Sequence, residues 1–134
     1  MLAARCDVPL VVAVGGALGS LARWALEQAV PTPSDGFPWA TLLANVSGAF
    51  AIGVLMVLAV DGWPPSRLVR PFLGVGVLGG YTTVSTAMLD TRALLATDQA
   101  ALGAAYLLAT SAAGLAAVWA GALLARRATR RSAS

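Results

Sequence analysis

The chain has 134 residues, 58% hydrophobic and 11% charged, so a single domain of this length has no core able to hide its apolar surface from water, and its solvent is lipid. Nine basic residues, all arginine, and six acidic ones give a net charge of +3, and histidine is absent, which removes the commonest general base and metal ligand. Cys6 is the only cysteine, so no internal disulfide or thiolate metal site is possible; Asp7, Glu27, Asp35, Asp61, Asp90 and Asp98 stand singly, no catalytic triad, phosphate loop or zinc spacing can be assembled, and an enzyme is not expected.

A helix needs about 20 apolar residues to cross the hydrocarbon layer, and four segments qualify: 8–30, 38–60, 68–97 and 100–125. The fold class expected is an all-α membrane protein, a single four-helix transmembrane domain over 1–125 followed by a basic cytoplasmic tail over 126–134. The first span resembles a signal peptide in having Arg5 before an apolar run, but it is long and three further spans follow it. Within it Arg23 precedes Trp24. Arg23 reads either as a side chain snorkelling to the interface or as a fixed positive charge at the mouth of an anion path.

The linker "PTPSDGFP" (31–38) carries turn chemistry, as does "DGWPPSR" (61–67). The second span holds Asn45, with Thr41 and Ser47 nearby. A polar group in hydrocarbon must find a partner, so Asn45 is either an interhelical hydrogen bond or part of a polar path. Pro71 stands near the start of the third span, where its missing N–H costs little.

The third span contains "VLGGYTTVSTAML" (77–89): two glycines, then Thr82, Thr83, Ser85 and Thr86. Glycines beside hydroxyls can break a transmembrane helix, and freed carbonyls can hold a small cation. The alternative is a continuous helix whose hydroxyls bond back to the preceding turn. Asp90, Arg92 and Asp98 are expected to mark the end of this span. In the fourth span Tyr106 and Thr110 are four apart and share a face. Gly15 and Gly19, Ala44 and Gly48, and Ala49 and Gly53 have the spacing that lets helices approach closely, within a subunit or between subunits.

Four spans put both termini on the side of the middle linker. That side carries Arg5, Arg67, Arg70, Arg126, Arg127, Arg130 and Arg131, seven in all, against Arg92 alone on the other. The positive-inside rule then places both termini in the cytoplasm. No basic surface interleaved with aromatics suits nucleic acid.

The motifs "GGALGSLARW" (15–24), "WATLLANVSGAFAIG" (39–53) and "GVLGGYTTVSTAMLD" (76–90) occur on the first three spans in order. With them the chain resembles the Fluc (CrcB) fluoride channels over nearly its whole length. The resemblance implies a bacterial inner-membrane channel that passively exports cytosolic fluoride, built as an antiparallel dimer of four-helix subunits whose third helix is broken. It further implies a structural sodium ion at the dimer interface, held by backbone carbonyls at the positions of Gly79 and Thr82. Asn45, Ser85, Thr86, Tyr106 and Thr110 fall at positions of the fluoride pore, and Arg23 at its vestibule.

Two positions depart from the family. Its pattern "TTFSTF" has two phenylalanines facing fluoride, and this chain has Val84 and Ala87 there. A third position, commonly Glu, is Asp90. A subunit that inserts both ways needs a weak charge bias, and seven arginines against one is a strong bias. The expectation is therefore a heterodimer with an oppositely oriented homologue that supplies the phenylalanines. Two rivals remain: a non-conducting scaffold subunit of such a channel, and a small four-helix drug/proton antiporter, which needs a membrane-buried carboxylate.

Overall fold

A segment in lipid must satisfy its backbone internally, and helices do so. The computed structural model describes residues 3–31, 36–60 and 67–132, and these are almost wholly helical. Helix α1 is Ala3–Ala29 and α2 is Trp39–Val60. Helix α3 opens as a π-helix over Pro71–Leu78 and ends in one α-turn, Gly79–Tyr81. Helices α4 and α5 are Val84–Ala96 and Ala100–Ser132. Among the described residues four stretches are long and apolar enough to cross a membrane: Asp7–Ala29, Trp39–Val60, Pro71–Ala96 and Ala100–Arg130. The protein is a multi-pass, all-α membrane protein.

The helices overrun two of the expected boundaries. Helix α1 starts at Ala3 rather than Val8, and α5 does not stop at 125 but continues to Ser132. The basic segment is rich in arginine and alanine, both strong helix formers, with no glycine or proline to end the helix. Pro71 stands at the first position of α3, near its start as expected. The turn residues 32–35 and 61–66 lie outside the described residues, as do the side chains of Arg5, Cys6 and Arg131.

Glycine sets the packing of the first and third spans. A Cβ on Gly15 would meet the Phe72 carbonyl at 2.6 Å; one on Gly19 would strike the Val77 carbonyl, and one on Gly80 the Gly16 carbonyl. Helices α1 and α3 therefore run backbone to backbone. Gly53 meets the Val118 carbonyl, drawing α2 onto α5 in the same way. The sequence left two uses open for the closely spaced small residues; Gly15, Gly19, Gly48 and Gly53 serve contacts inside one subunit.

The small core joins α4 and α5: Ala87, Leu94 and Tyr106 are buried, with Phe37, Leu42 and Leu102 packed against them. Tyr106 is 0% exposed, and the Phe37 ring meets it edge-on at 5.3 Å. Many large apolar side chains face outward, among them Leu10, Met56, Val60, Leu108 and Trp119, as a lipid-facing surface requires. The Asp7–Arg67 ion pair, at 3.8 Å, ties the start of α1 to the approach to α3. Arg126 and Val60 line one cleft of about 230 Å³ between the ends of α2 and α5. The arginine-bearing ends thus gather at one end of the bundle.

Candidate functional site: a clamped break in the third span

The third span is interrupted between α3 and α4. Thr82 has φ −83° and ψ 153°, and Thr83 has φ −150° and ψ 122°. These are strand-like angles, which β-branched threonine tolerates well. The family resemblance implied a break near Gly79–Thr82, with the opening owed partly to the glycines. The structure puts the extended residues at Thr82 and Thr83. Gly79 stays helical, with φ −65° and ψ −35°, and Gly80 lies in the same α-turn. Gly80 instead lets α3 touch α1, while a Cβ on Gly79 would meet open space.

Asn45 pairs with the backbone of the break. Its Nδ2 donates to the Thr83 carbonyl at 2.9 Å, and its Oδ1 accepts from the Thr83 N–H at 2.8 Å. One amide thereby pairs with a backbone residue as a neighbouring strand would. Thr83 in turn caps α4: its Oγ1 accepts from the Thr86 N–H at 3.1 Å. On the α3 side, the Thr82 N–H and Oγ1 both donate to the Leu78 carbonyl, at 3.0 and 2.9 Å.

This pattern has a direct consequence for two carbonyls. In an unbroken helix the Thr83 N–H bonds to Gly79 O, and the Thr86 N–H bonds to Thr82 O. Here both donors are diverted, one to Asn45 and one to the Thr83 hydroxyl. The oxygens of Gly79 and Thr82 therefore lack their helical partners. They are the two carbonyls that the family resemblance names.

A polar cleft of about 340 Å³ begins beside the break, lined by Arg23, Glu27, Val30, Ala40, Thr41, Thr86 and Asp90. Arg23 Nη1 donates to Thr86 Oγ1 at 3.4 Å and lies 3.9 Å from Glu27. Its Nε is buried without a hydrogen-bond partner. Arg23 is thus turned inward along the cleft, while the neighbouring Trp24 stays exposed. Asp90 Oδ2 accepts from the Thr41 hydroxyl at 2.7 Å and from the Tyr106 hydroxyl at 3.4 Å. Asp90 faces this cleft at the level where α1 ends and α2 begins, beside Glu27, Val30 and Ala40, while α4 runs on to Ala96.

The candidate pore residues divide into groups. Asn45, Thr86 and Arg23 form one connected hydrogen-bonded chain through Thr83. Tyr106 lies wholly inside the subunit with its hydroxyl toward Asp90. Ser85 is exposed and Thr110 half-buried, and both lie outside the cleft lining. Val84 points outward at 73% exposure, while Ala87 is 2% exposed within the core. Thr83 carries more of the site than its sequence suggested. Its signal was the second of two adjacent β-branched residues after a glycine pair.

The family model for CrcB-like protein, Camphor Resistance (CrcB), matches residues 10–122. The chain belongs to the CrcB family. It is 50% identical over 123 residues, 92% of this chain and 80% of the relative, to fluoride-specific ion channel FluC 1 of Streptomyces coelicolor. Streptomyces avermitilis has two further relatives. Its fluoride-specific ion channel FluC 2 is 50% identical over 106 residues, 79% of this chain and 67% of the relative. Its FluC 3 is 46% identical over 127 residues, 95% of this chain and 62% of the relative.

Proposed function

We propose that this chain is one subunit of a fluoride-specific ion channel that lets cytosolic fluoride leave a bacterial cell passively. The observation that carries this reading is the Asn45-clamped break with Thr86 and Arg23 leading away from it. Fluoride is small and strongly hydrated. A pore for it must replace water with donors and still release the ion. Asn45 spends one N–H on Thr83 and keeps its second. Thr86, Ser85 and Thr110 add hydroxyls, and Arg23 raises the local anion concentration. Tyr106 can join only by giving up Asp90.

The same break suits a structural sodium ion. Gly79 and Thr82 offer two neutral oxygens without helical donors, the kind of ligand unwound transmembrane backbone gives to sodium. Gly79 has open space beside it, where a second subunit can approach. A sodium ion bound there would neutralise carbonyl dipoles and join two breaks across an interface.

The partner we infer is a homologous subunit inserted the opposite way, with both termini of this chain in the cytoplasm. Seven arginines against one support a single orientation. The presence of FluC 2 and FluC 3 in one organism among the relatives is in keeping with paired subunits. The aromatic edges missing at Val84 and Ala87 would come from that partner.

The scaffold reading also has an observation behind it: Ala87 is in the core beside Tyr106, not on a path. The antiporter reading needs a membrane-buried carboxylate, but Glu27 lies near the end of its span, 3.9 Å from Arg23, and Asp90 is held by Thr41. Fluoride efflux from proteoliposomes, with this chain alone and then co-assembled with a homologue carrying both phenylalanines, tests the pairing. The expectation is little efflux alone and fast efflux together. Equal, robust efflux from the lone chain would refute the need for a partner.

A further inference from the structure

We propose that Asn45 and Thr83 are positioning residues for the cation site: by diverting two backbone N–H groups they hold the Gly79 and Thr82 carbonyls free. The inference rests on the sodium reading above and deepens it. Asn45 Oδ1 takes the Thr83 N–H at 2.8 Å, the donor that otherwise closes on Gly79 O. The Thr83 hydroxyl takes the Thr86 N–H at 3.1 Å, the donor that otherwise closes on Thr82 O. Each ligand oxygen thus has one named residue keeping it open.

The energetics give the devices their force. An unpaired N–H inside a membrane protein costs several kcal/mol, so it takes the nearest acceptor available. Without Asn45, the nearest acceptor for the Thr83 N–H is the Gly79 carbonyl one turn back. The helix then rewinds and the site closes. Removing the Thr83 hydroxyl sends the Thr86 N–H to Thr82 O in the same way. Asn45 therefore has two roles at once: an anion donor through its spare N–H and a keeper of the cation ligands through Oδ1. The two ion sites are coupled through a single side chain, with Thr83 as the shared backbone.

The test uses the full-length chain, purified in the oligomer it forms in the membrane. Thermal unfolding is followed as sodium chloride replaces N-methylglucamine chloride at constant ionic strength. The wild type is expected to be stabilised specifically by sodium. Asn45→Leu and Thr83→Val are expected to weaken apparent sodium affinity by about 10–100-fold, the range for residues that orient metal ligands. Thr83→Ser keeps the capping oxygen and is expected to retain wild-type affinity. If Asn45→Leu does not fold, the Thr83→Val and Thr83→Ser pair decides. A sodium-responsive wild type with equally responsive Asn45→Leu or Thr83→Val would overturn the inference alone. A wild type indifferent to sodium would overturn the cation site and the inference with it.

Discussion

The Thr41 hydroxyl donates to Asp90 Oδ2 across 2.7 Å, joining the second span to α4 inside the polar cleft. The same oxygen accepts from Tyr106 at 3.4 Å. Thr41 is buried, so Thr41→Val removes a buried donor at little change in shape. It is expected to destabilise the subunit by about 1–3 kcal/mol, because a carboxylate is left under-satisfied. Thr41→Ser is expected to be near neutral. Denaturation in detergent, followed by helical signal, compares the three proteins; equal stability of Thr41→Val would show that water already serves Asp90.

Restoring the missing aromatics is expected to give opposite results at the two positions. Val84 is 73% exposed, so Val84→Phe adds a ring outside the subunit core and leaves folding intact. Ala87 is 2% exposed beside Tyr106 and Leu94. Ala87→Phe overpacks that core and is expected to cost at least about 1–3 kcal/mol. Expression level and melting temperature of the two variants distinguish the cases. A stable Ala87→Phe protein would mean that the core around Tyr106 rearranges readily.

The glycines fall into two kinds, and alanine substitution separates them. On Gly19 an added Cβ strikes the Val77 carbonyl, which is backbone and cannot swing aside. Gly19→Ala is expected to push α1 off α3 and abolish the folded subunit. Gly114 has no neighbour within 4 Å of an added Cβ. Gly114→Ala is expected to be neutral or stabilising by up to about 1 kcal/mol, the helix-propensity difference. Size-exclusion profiles and melting curves check both.

Orientation should follow the arginines. Replacing Arg126, Arg127 and Arg130 with glutamine lowers the count on the terminal side from seven to four, still against Arg92 alone. A C-terminal reporter is expected to remain cytoplasmic in the wild type and to show a measurable reversed fraction in the triple variant. A wild type with mixed orientation would remove the reason for requiring an unlike partner.

Four spans were legible in the sequence because hydropathy and the scarcity of charges write them directly; the glycines and hydroxyls of the third left a break and a continuous helix both open, and the family resemblance pointed to the break. The exact place of the break was not legible. Gly79 and Gly80 weaken helices in general, yet here both stay helical, Gly80 lies against the Gly16 backbone, and the extended angles fall at Thr82 and Thr83. That outcome depends on Asn45, which lies 38 residues earlier in the chain and becomes a neighbour only when α2 packs. The partners of Asp90 were not legible for a related reason: Thr41 and Tyr106 stand on other spans and meet the carboxylate only when the helices pack. The helical run of Arg126 to Arg130 was hidden by charge, which suggested a free tail where propensity continues the helix.

The most direct measurement is passive anion flux through proteoliposomes holding this chain with a homologous partner, read by fluoride- and chloride-selective electrodes under a potassium-clamped voltage. Fast fluoride efflux with chloride retained is the predicted result, slowed when Asn45 is replaced by leucine. Vesicles that hold their fluoride, or that release chloride as readily, would contradict a fluoride-specific pore built on this broken helix.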